Sequence, residues 1–311
     1  MTKRPETSII MNCHNGEKFL KKAIDSILAQ SYKKWELIFW DNRSADKSKK
    51  IFKSFEDKRL RYFYTHKKVS LYESRNAACK KAKGDFIAFL DVDDIWFPNK
   101  LKLQVKKFKD KNVGLVYGKC YKVNNKNFFR KKQLITKKNL PVGYVIKPLL
   151  KSYPVGLLTI MIRKSFLKKE KEIFRVKYNY LADLDFVLRF SLKYKFEAVQ
   201  EPIGMYRQHE NQMQRKHFKT KSVQLKKWYE EITKNKTFGS NENLKLFEEW
   251  NKFHITSTLI KAKKYKKAIS NIIQHPFNIN KLKLLIMLIF PRAISKIIII
   301  RRNQSKNIKG N

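Results

Sequence analysis

The stretch FIAFLDVDDIWFPNKL (86–101) runs from an apolar segment straight into three carboxylates, Asp91, Asp93 and Asp94, and then to a proline ahead of a new periodic segment. The apolar run FIAFL has the length and content of a buried strand. Four similar runs precede or follow it: SIIMNC (8–13), ELIFW (36–40), LRYFY (60–64) and VGLVY (113–117). Between them lie helical spacings. Phe19, Leu20, Ala23, Ile24, Ile27 and Leu28 recur at steps of three and four, as do Leu101, Val105 and Phe108 after Pro98, a favourable first-turn residue. Strand and helix in alternation predict an α/β fold with a mostly parallel sheet flanked by helices. Ligands of such sheets bind outside the carboxyl ends of the strands. Polar residues collect at those ends: Asn12, His14 and Asn15 after the first run, Asp41 and Asn42 after the second, and the aspartates after the fourth.

The concentration of acid is unusual for this chain, whose 311 residues carry 71 Lys and Arg against 26 Asp and Glu, a formal net charge of +45. So basic a surface suits anionic partners such as nucleic acid, an anionic membrane or phosphorylated substrates, while a coding bias toward lysine would produce the same total. Cys13, Cys79 and Cys120 are odd in number and form no CxxC pair, which argues against a disulfide framework or a zinc site and for a reduced, cytosolic setting. The N-terminal apolar run is too short for a signal peptide. GxGxxG, Walker A, HExxH and GxSxG are absent, and SYKK (31–34) matches SxxK only as a lysine-rich chain often will.

Carboxylates this close repel unless a cation offsets them. A divalent ion, Mn²⁺ or Mg²⁺, is commonly held by one or two carboxylates with substrate phosphates completing its shell. The competing reading, that Asp93 or Asp94 merely starts the following helix, needs one carboxylate, and here there are three.

On these residues the chain resembles the family 2 glycosyltransferases of the GT-A fold. SIIMNCHNGEKFLKKAIDSILAQSYKKWELIFWDNRSADKS is similar to their opening strand, helix and nucleotide-binding strand, and ESRNAACKKAKGDFIAFLDVDDIWFPNKL to the segment carrying their DxD motif. The resemblance implies a nucleotide-diphospho-sugar transferase, 1–215, followed by a basic, mainly helical extension, 216–311, that carries no family motif. It implies Asp93 as metal ligand and Asp91 beside the ribose and diphosphate. Asp41 and Asn42 match positions that hold the base, Arg75 matches a basic residue on the same nucleotide, and Asn12, His14 and Asn15 would line the other wall. Many members carry Asp where this chain has Asn42, which leaves the nucleobase open.

In YLADLDFVLRF (180–190), Asp183 matches the catalytic base of a Glu-Asp pair whose Glu position is Ala182 here, with Asp185 the alternative base. A helix N-terminal charge would account for Asp183 without catalysis. MYRQHENQ (205–212) resembles the late YRxHxxN segment, in which His209 would bind metal or diphosphate and Arg207 the departing phosphate. Trp96 would stack on a sugar at the acceptor side or be a core aromatic.

The implied activity is inverting, metal-dependent transfer from a nucleotide sugar to a saccharide or lipid-linked saccharide, in surface polysaccharide or lipopolysaccharide synthesis. The tail KLKLLIMLIFPRAISKIIIIRRNQSK (281–306) is too interrupted for a spanning helix. It suits a peripheral contact with the inner face of the cell membrane or a helix packed on the main domain. Two other readings stand beside this one: an inactive scaffold, and a nucleic-acid binder, for which no motif is present.

Overall fold

A computed structural model of the chain describes residues 4–124, 132–168, 170, 172–209, 218–235, 237, 240–261 and 263–290. The chain divides into two compact units, Met1–Met213 and Gln214–Asn311. The first begins β1 (Thr7–Cys13), α1 (Glu17–Leu28), β2 (Trp35–Asp41), α2 (Ser48–Lys53), β3 (Leu60–Tyr64), α3 (Leu71–Lys80), β4 (Phe86–Phe89) and β5 (Ile95–Trp96). It continues with α4 (Lys100–Lys107), β6 (Val113–Asn124), β7 (Lys132–Leu134), α5 (Ile146–Lys151), β8 (Met161–Arg163), α6 (Lys164–Leu167), α7 (Ala182–Ser191) and β9 (Lys195–Gln208).

The strands form one sheet in the order β3-β2-β1-β4-β8-β6-β9-β5, with β7 on β6. β1 pairs in parallel with β2 and β4, and β2 with β3, which places the ends of β1, β2 and β4 on one rim. Beyond β4 the sheet is mixed: β8 runs antiparallel to both β4 and β6, while β9 is parallel to β6. Parallel neighbours require a packed crossover. Between β6 and β8 the described residues hold β7 and the six-residue α5, and β8 returns antiparallel to β6.

The expected helix after Pro98 forms, but Pro98 lies one residue before its N-cap, Asn99, rather than in the first turn. There the Pro98 carbonyl accepts from the Ser31 amide, tying the end of the α1 segment to the start of α4. α1 buries Leu20, Ala23, Ile24 and Ile27 in a core shared with Ile9, Met11, Leu37, Phe39 and Ala88.

α3 was hidden in the sequence by its weak periodicity. Its start is fixed by a capping pair: Ser70 Oγ accepts from the Glu73 amide, 3.2 Å. Three residues further, Asn76 grips the Phe174 backbone in both directions, donating to its carbonyl at 2.7 Å and accepting from its amide at 3.1 Å. This clamp pins the segment that leads into α7 against α3.

The second unit is helical: α8 (Phe218–Lys234), α9 (Asn241–Lys261), α10 (Tyr265–Ile273) and α11 (Ile279–Ile289). Trp228 packs edge-on against Phe247 with ring centres 5.0 Å apart. A smaller core joins Ile260, Ala268, Ile272 and Leu284. No helix among the described residues is long and apolar enough to cross a membrane. Residues 281–289 of the apolar tail lie on α11, and its remainder beyond 290 lies outside the described residues.

Candidate active site

The rim gathers residues that are scattered in sequence. β1 delivers Asn12 and then His14, β2 ends on Asp41, and β4 leads through Leu90 to Asp91, with Cys13 and Asp41 in register. Arg75, on the inner face of α3 and 1% exposed, reaches Asp91 with Nη2 in an ion pair. Burial pushes the Asp91 carboxyl above the ordinary range, Arg75 pulls it back, and Asp93 and Asp183 push it up again. Arg75 Nη1 and Asn12 Oδ1 are both buried without a hydrogen-bond partner among the described residues. Asn12 Nδ2 donates to Ser74 Oγ at 3.2 Å.

Asp93 and Asp94 are held from β9 and the residue following it. The Arg207 amide donates to Asp94 Oδ1 at 2.9 Å, Arg207 Nε donates to the Asp93 carbonyl at 2.8 Å, and His209 Nε2 lies 2.9 Å from Asp93 Oδ2. Phe19 of α1 supports both basic residues, its ring 4.7 Å from the Arg207 guanidinium and 5.1 Å from the His209 ring. Asp94 is buried, and burial, then Asp93 and Asp91, hold its carboxyl well above the ordinary range.

Asp183 sits in the first turn of α7, where the helix dipole favours a negative charge. It faces the rim acids closely enough to raise the carboxyl of Asp91 and to act on Arg75. Burial, reinforced by Asp183, also holds the Tyr72 and Tyr153 hydroxyls well above their ordinary values. Neither tyrosine was among the residues expected from sequence, since each comes from a stretch without a distinctive motif. Two residues along the same helix, Asp185 is fully buried and tied to Arg175 and Arg189. That removes Asp185 as an alternative base: its oxygens are committed to two guanidiniums inside the protein.

At the β2 end, Asp41 Oδ1 accepts from the Ser44 amide at 2.8 Å and Oδ2 from the Tyr62 hydroxyl at 2.7 Å. Asn42 uses both halves of its amide on Val69, donating from Nδ2 to the carbonyl at 2.8 Å and accepting at Oδ1 from the amide at 3.1 Å. His14 bridges Asn42 and Lys68, with Nδ1 3.0 Å from the Asn42 carbonyl and Nε2 2.8 Å from Lys68 Nζ. Asn15 adopts the left-handed conformation, φ 57°, and its Oδ1 accepts from the Ala45 amide at 2.8 Å.

Trp96 requires a correction. It is 2% exposed, its indole N–H donates to the Leu158 carbonyl at 2.8 Å, and the Lys100 ammonium lies 3.9 Å from its ring centre. It is a core residue with no face open to a sugar. Arg207 is likewise buried, and its amide and Nε hold the 91–94 loop from below.

Among the described residues no group of three or more His, Cys, Asp or Glu forms a complete metal cage. Asp93 and His209 meet in a hydrogen-bonded pair, 2.9 Å between Oδ2 and Nε2. A carboxylate with an imidazole is a donor set that fits a divalent cation once that hydrogen bond gives way. A cation held by two side chains keeps its other positions for water and phosphate oxygens.

Known proteins share both the sequence and the fold. Residues 8–168 match the family model "Glycosyl transferase family 2". A UDP-Glc:alpha-D-GlcNAc-diphosphoundecaprenol beta-1,3-glucosyltransferase, WfgD of Escherichia coli, is 34% identical over 160 residues, covering 51% of this chain and 61% of that relative. The fold is similar to that of Staphylococcus aureus TarS 1-349 in complex with UDP-GlcNAc, with TM-score 0.61 at 17% identity over 82% of this chain and 72% of that one. It is also similar to the mannosyltransferase PcManGT of Pyrobaculum calidifontis in complex with GDP-Man and Mn²⁺, with TM-score 0.59 at 15% identity over 91% and 79% of the two chains. With the family match spanning more than half the chain and the rim acids on the strand ends, this protein belongs to glycosyl transferase family 2.

Proposed function

We propose that the chain transfers a sugar from a nucleotide-diphosphate sugar to an acceptor hydroxyl, with inversion and with a divalent metal, the first unit being catalytic. The observation that carries this reading is the convergence of Asp183 on Asp91 and Arg75, across about ninety residues of sequence, beside the Asp93 and His209 pair. Asp183 takes the proton of the acceptor hydroxyl, that oxygen bonds to the anomeric carbon, and the bond from that carbon to the diphosphate breaks. One displacement from the opposite face inverts the centre. Asp93 and His209 would hold Mn²⁺ or Mg²⁺, which when bound supplies Lewis-acid neutralisation of the diphosphate.

The donor lies along the rim between Asn12, Arg75 and Asp91 at one end and His14, Asn15, Asp41 and Asn42 at the other. Asn42 acts there chiefly by bracing the loop around Val69, and Asp41 by holding Ser44 and Tyr62, because their polar atoms are already bonded within the protein. The chemistry printed for the similar structures, UDP-GlcNAc and GDP-Man, supports a nucleotide-sugar donor. The lipid-linked acceptor in the name of the E. coli relative supports a saccharide on a lipid carrier as acceptor, and transfer to it would take place at the inner membrane face, in surface glycan synthesis.

A calorimetric screen of nucleotide sugars with and without Mn²⁺ tests the proposal. One donor should bind with Mn²⁺ and lose most of its affinity in EDTA. Binding of no donor under either condition would favour the scaffold reading.

A further inference from the structure

The second unit presents an apolar surface that its own core does not cover. In α10, Ala268 and Ile272 face the small core, whereas Tyr265, Ile269 and Ile273 recur every four residues and are exposed. In α11, Leu284 is buried while Ile279, Leu282, Ile286 and Ile289 follow at three- and four-residue steps on the exposed side. The connection between the two helices carries Phe277 at 89% exposure, with Ile273 before it at 71% and Ile289 after it at 65%. A helix that is apolar on both faces normally buries both. Here only one face of α11 meets a partner among the described residues, and exposed apolar residues in such a run mark an interaction surface.

Charge indicates the partner. Lys263, Lys264, Lys266, Lys267 and Lys283 are all exposed beside these residues, and after Glu249 the chain has no acidic residue at all. A second copy of a chain with formal charge +45 would bring like charge onto this surface, whereas an anionic bilayer brings the opposite sign together with an apolar phase. The eleven residues of α11 make a helix of about 16 Å. The hydrocarbon core is roughly 30 Å thick, so this element can lie in the interface and cannot span it.

We infer that the α10–α11 face is a docking surface for anionic membrane, inserting Ile273, Phe277 and Ile289 below the headgroups while the lysines contact lipid phosphates. This adds residues to the membrane contact in the proposed function, and it rests on that reading only for what the docking serves. Basic amphipathic segments bind in this way, and each lysine near an anionic surface strengthens attachment by about fivefold.

The test is cosedimentation of the full chain with vesicles of phosphatidylcholine alone or with about 30 mol% phosphatidylglycerol, at low and high salt. Wild type should bind the anionic vesicles at least roughly tenfold more tightly than the neutral ones, and less tightly in high salt. The combined Ile273→Ser, Phe277→Ser and Ile289→Ser variant should lose at least about tenfold of that binding. A second variant, Lys263→Glu, Lys264→Glu and Lys267→Glu, leaves every apolar residue in place and should lose binding to anionic vesicles by a similar factor. Thermal melting of both variants checks folding.

Three results would overturn the inference: unchanged vesicle binding by both variants, equal binding to neutral and anionic vesicles, or no binding by wild type. Wild-type self-association abolished by the serine substitutions would assign the face to a second copy. Loss of binding only on deleting residues 291–311 would assign the contact to that segment. Donor binding measured on the same preparations separates the two ideas, since failure of the donor site leaves vesicle binding intact and the reverse also holds.

Discussion

The two ends of the sheet treat buried acid in opposite ways. At the amino end Glu36 has every partner it needs: Ser8 Oγ and the Lys83 amide donate to Oε1 at 2.6 and 2.7 Å, and Arg61 Nη1 donates to Oε2 at 2.5 Å. At the carboxyl end Asp91, Asp93, Asp94 and Asp183 crowd together, and burial first, then the neighbouring carboxylates, hold Asp91 and Asp94 above the ordinary carboxylate range. The compensated acid holds β2, β3 and the chain before β4 in register. The rim set is only partly compensated, by the Arg75 ion pair to Asp91 and by His209 beside Asp93, and that remaining excess of acid suits a site for a cation and a proton-accepting carboxylate. The same contrast recurs within one turn of α7, where Asp185 is enclosed by two arginines and Asp183 faces the rim.

Several substitutions probe that contrast, in falling order of effect. Asp183→Asn should lower the transfer rate by about a thousandfold or more, roughly 4 kcal/mol, while donor affinity by calorimetry stays within about threefold. Full transfer activity in the Asp183→Asn protein would place the base elsewhere. Asp93→Ala should weaken donor binding in Mn²⁺ by about a hundredfold, and His209→Ala by about tenfold, with both deficits vanishing when the comparison is made in EDTA.

At the other end, Arg61→Met leaves the Glu36 charge buried and should cost about 2 kcal/mol in denaturant unfolding, discounted because Arg61 is partly exposed. Turnover per folded molecule should not change, and if it does the two ends are not separable in the way proposed. Trp96→Phe should cost about 1 kcal/mol through the lost hydrogen bond to Leu158. Its acceptor KM should match wild type, since the ring is enclosed; a raised KM would restore Trp96 to the acceptor side.

The first half of the fold was legible because local pattern and tertiary role coincide there. β1, β2 and β4 are buried on both faces, so they read as continuous apolar runs, and the polar residues ending them had to fall on one rim once the strands were parallel. The second half was less legible. β8 is three residues long, and its antiparallel pairing with both β4 and β6 leaves no periodic signal in so short a run; within the first half the exception is α3, which announces itself only through the Ser70 cap. The tail illustrates the same limit, since its amphipathic character is readable while the side left uncovered depends on how α10 and α11 pack.

By itself, then, the sequence determined the strand and helix alternation, the family and the chemical identity of the rim residues, because these rest on local periodicity and on motifs contiguous in the chain. Tertiary structure alone decided which aspartates face the rim and which are enclosed by arginines. The Asn76 clamp brings α7 over α3, turning Asp183 toward Asp91 and leaving Asp185 to the arginines, and the packing of Leu158 against Trp96 makes that aromatic part of the core. Burial and partner supply are properties of residues distant in sequence, and the availability of a carboxylate for chemistry depends on both.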